Sequence, residues 1–317
     1  MIDGIGGAVA VTEAIWNISR DLGYPSPRSR ARFQALVQDA GESIREVPAA
    51  GRALLAAMKE ARRRQHENDR PKQRAVAAAA SDAAEPVIAP SIWVRLSMND
   101  WNSRADKLGG THSTLAAAFT AILDERMGRQ HGDAVGVPML LTVNDRAAGD
   151  DARAIAVSFV RVGLEPKGVT ENLRDARTAI KYAMKDSREQ QDAAVELVAL
   201  TPFTPKRTWR QLADYARNDP DQPAVCSNLG DTGPAAIRPD GTLCDAAFAR
   251  GASQHLTQRW LERIGSQLHV YYGTAVEMDL VTIYVCAYHP ESVTTKAELC
   301  GLVNQALIEF DLPATIE

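Results

Sequence analysis

Three short stretches of this chain carry side chains that could take part in chemistry. Asp3-Gly4 stands near the start. A glycine after an aspartate lets the backbone pass close to a reacting group, although the same pair is also an ordinary turn before a helix. Val143-Asn144-Asp145-Arg146, followed by Asp150-Asp151-Ala152-Arg153, puts a guanidinium at the end of an apolar run. Arginine's planar fork can hold a carboxylate through two hydrogen bonds, which lysine cannot reproduce. The plainer alternative for Arg146 is a solvated turn arginine. Val225-Cys226-Ser227-Asn228-Leu229-Gly230-Asp231 gathers small polar side chains. Ser227, Asn228 and Gly230 could line a narrow channel and offer hydrogen bonds to what lies in it, or form a strand-to-loop turn, where these residue types are favoured.

Other chemistries fit less well. Gly251-Ala252-Ser253-Gln254-His255 lacks the second glycine of a nucleophile elbow. Gly4 and Gly6 open a helix with no strand before them and no third glycine, so they make a poor dinucleotide fingerprint. His66, His131 and His269 are scattered singles without metal-ligand spacing, so no metal site is expected. His112 opens a helix, where the local dipole favours the neutral ring; a surface role competes with a place on a channel. Cys226 lies beside the Ser-Asn pair without an activating base nearby in sequence, which suits a buried, inert thiol.

These residues need elements to hold them. Residues 4–20 read as a glycine-led turn and a helix, stopped by Pro25 and Pro27. Residues 31–66 are mostly helix formers, with Phe33, Leu36 and Val37 loosely periodic. A basic stretch follows, from Lys59 to Arg74, then an Ala-rich, Pro-bounded crossing segment to Pro90. From Ser91 the pattern tightens: Ile92, Val94 and Leu96 alternate as a strand. A short helix over 100–108 ends at Gly109-Gly110. Residues 111–127 read as the strongest helix, with Leu115, Ala118, Phe119, Ile122, Leu123 and Met127 on one face. Strands are predicted from Val137 to Val143 and from Ile155 to Val162, and a helix over 170–199 with Leu173, Ala176, Ile180 and Met184 on one side. A short helix is placed around Trp209 and Leu212. Val225 sits before a turn, strands follow at Leu268–Tyr272 and Val281–Tyr288, and Thr295-x-x-Glu298 caps a final helix.

At 317 residues, with 45% apolar and 24% charged content, the chain is long enough and apolar enough for a substantial globular core. A net charge of -4 gives no global basic field for nucleic acid. Four dispersed cysteines without a C-x-x-C argue against a disulfide framework. No apolar run is long enough to span a bilayer, and Asp3 and Glu13 interrupt what a signal peptide would need. A cytoplasmic protein, peripheral at a membrane if it meets one, is the expectation. The basic stretch from Lys59 to Arg74 suits an anionic lipid surface, although Glu60, Glu67 and Asp69 within it suit a solvated helix face.

In their order and separation, the three stretches resemble the wax ester synthase / diacylglycerol acyltransferase family, part of the wider group of CoA-dependent acyltransferases and condensation domains. Asp3-Gly4 resembles the back half of that family's His-His-x-x-x-Asp-Gly motif. Val143 to Arg146 resembles its Pro-Val-Ser-x-Arg strand end, and Ser227-Asn228-Leu229-Gly230 its Ser-Asn-x-x-Gly segment. One departure stands out: Thr111-His112-Ser113-Thr114 occupies the place where the family commonly has Asn-Asp.

The resemblance implies an α/β, chloramphenicol-acetyltransferase-like layered fold. Its second lobe would be nearly complete and its first lobe truncated, with 1–90 as a remnant plus helical crossing segment and 91–317 as the C-terminal lobe. It implies acyl transfer from acyl-CoA to the hydroxyl of a diacylglycerol or a long-chain alcohol. Acyl-CoA would be a co-substrate, with no cofactor bound. The partners would be acyl-CoA and a hydroxylated lipid acceptor, with peripheral contact at a membrane or lipid droplet. The family's second motif histidine is its general base, and by the count from Asp3 both histidines fall before Met1, so no catalytic residue is expected in this chain. Arg146 would clamp Asp3, and Ser227, Asn228 and Gly230 would line the channel. The alternative is a non-catalytic paralogue that binds acyl chains or a lipid-synthesis partner.

Overall fold

The structure is a computed structural model that describes residues 87–131, 136–144, 157–189, 222–231, 237–238, 242–244 and 256–317, with Phe33 and Val37. Asp3, Gly4, Arg146, the 4–20 helix, the Lys59–Arg74 stretch and the Trp209 helix lie outside the described residues. The chain divides into two compact units. Of the smaller, Pro25–Val76 and Lys185–Asn218, the described residues are Phe33, Val37 and 185–189. Phe33 and Val37 are helical, as the composition there predicts, with exposed side chains.

The larger unit is built on one mixed sheet. In chain order the elements are β1 (Ser91–Ser97), α1 (Met98–Lys107), α2 (His112–Arg126), β2 (Val137–Asn144), β3 (Val157–Leu164) and α3 (Arg174–Glu189). There follow β4 (Ala224–Asp231), α4 (Gln258–Ile264), β5 (Gln267–Ala275), β6 (Leu280–Tyr288), α5 (Lys296–Glu309) and β7 (Thr315–Ile316). The strand order is β3-β2-β4-β5-β6-β1-β7. The inner trio β2, β4 and β5 runs parallel, and the pairs on either side are antiparallel.

Local sequence sets these boundaries. The Ser97 hydroxyl accepts from the amides of Asn99 and Asp100 and starts α1. Gly109, at φ 76°, ends it in the left-handed conformation that glycine takes without strain. Thr111 then caps α2, accepting from the Thr114 amide. The capping box predicted at Thr295 and Glu298 is present on α5.

Two readings change. On α2 the whole run from Thr114 to Asp124 is buried, not one face alone. The alanines between the larger side chains permit this: they let α2 lie close to the sheet on one side and to α5 on the other, where Phe119 meets Phe310 with ring centroids 6.3 Å apart. Leu115, Phe119 and Leu123 are fully covered, each contributing about 1.5–3 kcal/mol by leaving water. The strand placed around Val225 does not turn there; β4 continues to Asp231. It is held on both sides by parallel neighbours, with Leu141 opposite Cys226 and Cys226 opposite Val270, so the ladder carries the chain through Ser227 and Asn228.

The C-terminal end of α2 is anchored by charge. Asp124 is fully buried and pairs with both Arg129 and His131. The Arg129 guanidinium also donates to the Gln222 carbonyl at 2.7 Å and to Ser266 Oγ at 2.9 Å. It thereby ties α2 to the segments leading into β4 and β5. His269 lies close enough for Arg129 to disfavour its charged form, although burial is the larger reason its pKa is lowered. Among the described residues no helix is long and apolar enough to cross a membrane.

Candidate active site

The parallel trio ends, at its carboxyl side, in an open cavity of about 240 Å³. Parallel strands leave such a crevice where their ladders stop and the chain departs in different directions. Three strands supply its base: Leu141, Thr142 and Val143 from β2, Cys226 to Gly230 without Ser227 from β4, and Tyr272 from β5. Two helices supply the sides, α2 through Ser113 and α3 through Ile180 and Met184.

One end of the cavity is a hydrogen-bonded cluster. The Tyr272 hydroxyl donates to Ser113 Oγ at 2.8 Å, and Asn228 Nδ2 lies 3.4 Å from the same oxygen. With two donors directed at it, the Ser113 oxygen is an acceptor twice over, which leaves its own proton free to be given elsewhere. His112 Nδ1 is 3.5 Å from both hydroxyls, and its ring stands edge-on to Tyr272 at 6.1 Å. Burial raises the pKa of the Tyr272 phenol well above its ordinary value, so it remains a donor at working pH. No acidic residue stands in the first turn of α2, so the helix's own partial positive charge near Ser113 is not offset there.

The backbone of β4 is bent to fit. Its pairing with β5 shifts register between Asn228 and Asp231. The Gly230 amide donates to Asn228 Oδ1 at 2.8 Å, and Gly230 takes a φ of 77° that other residues rarely adopt. Asn228 therefore has two tasks: its carbonyl holds the bend and its amide faces Ser113. Cys226 also lines the cavity, but burial pushes its thiol up to about 12, with a smaller opposing effect from Thr120. It is a neutral wall residue, as the sequence suggested, not a nucleophile.

Of the residues expected to form a channel, Asn228 and Gly230 border this cavity. Ser227 is buried but is not among its lining residues. Side chains alternate along a strand, so Cys226 and Asn228 share one face and Ser227 has the other. Asp3, Gly4 and Arg146 lie outside the described residues, and so does any contact between them. His112 is exposed and is not among the lining residues. Sequence reasoning missed Tyr272 and treated Ser113 only as part of a helix start. Tyr272 sits in an apolar strand, where a tyrosine reads as core; the one available signal was its polar tip, which needs a partner once buried. Among the described residues no three His, Cys, Asp or Glu side chains come together as a metal site requires.

No protein-family model and no curated protein matches the chain. Solved structures do. Trichothecene 15-O-acetyltransferase TRI3 from Fusarium sporotrichioides superposes with a TM-score of 0.53 at 14% identity, covering 98% of this chain and 63% of that one. The first condensation domain of the calcium-dependent antibiotic synthetase, in complex with a substrate analogue, gives 0.49 at 14% identity over 98% and 62%. The PapA2 acyl transferase gives 0.42 at 12% identity over 98% and 63%. The chain thus spans less than two thirds of the length of each. At these identities the likeness is one of fold. The chain shares with TRI3 a mixed α/β, chloramphenicol-acetyltransferase-like fold.

Proposed function

We propose that this chain belongs to an acyl-CoA-dependent O-acyltransferase that moves a fatty acyl group to the hydroxyl of a diacylglycerol or a long-chain alcohol. The observation that carries the reading is the cavity itself: apolar along most of its length, with Ser113, Asn228 and Tyr272 gathered at one end. A thioester has the same division, a polar carbonyl and an apolar tail. The fold shared with an O-acetyltransferase agrees with it. The Asp3-Gly4, Arg146 and Ser227-Asn228 stretches agree in their order along the chain.

In this reaction the acceptor oxygen attacks the thioester carbonyl. A C–O bond forms and the C–S bond breaks. The hydroxyl proton passes to a base and then to the departing thiolate. Ser113, its oxygen already accepting from Tyr272 and facing Asn228, would donate a hydrogen bond to the carbonyl oxygen as charge develops there, keeping its proton. The base would be a histidine, the group whose pKa suits that task, with Asp3 held by Arg146 to shape its loop. The proposed layout keeps 1–90 as the first-lobe remnant and crossing segment, and 91–317 as the C-terminal lobe. Peripheral contact with a lipid surface goes with such an acceptor.

A second reading rests on a sequence fact: no two histidines are adjacent in the 317 residues. On that reading the chain binds acyl groups, or a partner, without turning them over. Incubation of the purified chain with radiolabelled acyl-CoA and diacylglycerol or hexadecanol tests the second reading: labelled neutral lipid removes it, and acyl-CoA binding without product agrees with it. Neither binding nor product removes both.

A further inference from the structure

We infer that the cavity measures acyl chains and prefers those of about eight to ten carbons, with Ile180 and Met184 of α3 as the end wall. The inference rests on the acyl-donor reading above. It adds the length of the chain and the residues that set it.

The sheet order gives the cavity a direction. The strands that line it lie side by side as β5, β4 and β2, and adjacent strands are about 4.8 Å apart. Tyr272 on β5 and Asn228 on β4 meet Ser113 at one side. On the far side, roughly 10 Å away by strand spacing, are Leu141 and Val143 of β2, and Ile180 and Met184 of α3 line the same cavity. Thr142 is the one polar side chain in that half. A hydroxylated or charged ligand group placed there would lose water without finding adequate partners. A saturated hydrocarbon chain loses nothing.

The volume limits how much chain fits. A dry cavity of about 150 Å³ accepts benzene, which has six carbons. By proportion, the 240 Å³ here holds about ten carbons. A carbonyl at the Ser113 end therefore leaves room for a medium chain, and a chain of sixteen carbons would have to emerge into water. Ile180 is firmly packed in the core, and Met184, one helical turn on, is partly buried against it. Ile180 fixes the wall; the unbranched Met184 shapes its last part.

Dissociation constants for saturated acyl-CoAs of two to eighteen carbons, and for free carboxylates of six to eighteen, test this on the whole chain. Affinity should rise about fourfold with each added methylene up to eight to ten carbons and then level off. Met184→Ala should move the break to longer chains, and Ile180→Trp to shorter ones. Affinity that climbs steadily to eighteen carbons, with a slope untouched by Met184→Ala, overturns the length limit but leaves the donor reading intact. A break seen with carboxylates, in a chain that binds no acyl-CoA, keeps the pocket and removes the donor reading. No binding in either series overturns the pocket. The wild-type series decides without the variants, should Ile180→Trp fail to fold.

Discussion

Tyr272 illustrates how one polar atom can decide the use of a core position. Its ring packs beside Trp101 with centroids 6.5 Å apart, while its hydroxyl reaches Ser113. Tyr272→Phe keeps the ring and removes the donor, so stability should fall by about 1 kcal/mol, the usual net worth of one hydrogen bond. Urea unfolding of the two proteins measures it, and unchanged stability would mean that the Ser113 contact contributes nothing. For Arg146 the proposed clamp on Asp3 makes a sharper demand. Arg146→Lys keeps the charge and loses the fork, so turnover in an active form should drop about tenfold or more, the loss of one charge-assisted hydrogen bond. Wild-type turnover by the lysine variant would remove the assigned role. At this scale the sequence was partly legible. Asn228 and Gly230 were found because small polar residues cluster there, whereas Ser113 and Tyr272 were not, since they meet across 159 positions of chain and neither stands in a recognisable local pattern.

Elements were more legible, because capping and periodicity are local. The Thr295 capping box, the stop at Gly109 and the alternation of β1 all follow from neighbouring residues. The Glu298 carboxylate, which accepts from Thr294 and Thr295, has its pKa lowered from 4.5 to about 2 by those hydrogen bonds. A lowered carboxylate pKa stabilises the folded state above the unfolded value and loses that contribution as pH falls. The Glu298→Gln variant should therefore show a smaller drop in stability than wild type between pH 4.5 and 2; parallel curves would discount the cap. What failed at this scale were β4 and α2. The extent of β4 depends on ladders with β2 and β5, which no local pattern reports. The full burial of α2 depends on α5 packing across it from almost two hundred residues away. The charge cluster at the end of α2 was equally hidden. Truncating Arg129 to Ala would leave the buried Asp124 carboxylate with His131 alone and should cost about 3 kcal/mol, read by thermal or urea unfolding. A loss below about 1 kcal/mol would show the cluster to be incidental.

For the whole molecule, the class of fold was legible from mixed strands and helices without a strict repeat, and the likeness to TRI3 agrees. Half-buried histidines give the molecule a shared response to acid. His269 and His289 both have pKa values lowered from 6.5, chiefly by burial. The unfolded chain then binds more protons than the folded one below that value, so stability should be level above about pH 6.5 and decline beneath it. Replacing His269 with Gln should flatten part of that decline between pH 6.5 and 5, and an identical slope would exclude His269 as a contributor.

Helix α2 joins the two ends of this unit. Its fifteen residues span about 22 Å, and its eleven central residues are enclosed along the way. Ser113 stands at one tip and the Asp124–Arg129 cluster at the other. Such a rod behaves as a strut: seated at its base by guanidinium bonds to two incoming strands, it has little freedom to tilt. The aim of the serine hydroxyl is thus inherited from ionic joinery where the chain enters β4 and β5. Changes made at that remote foundation, to charge or to size, would be felt first as a misdirected proton at the mouth of the cavity.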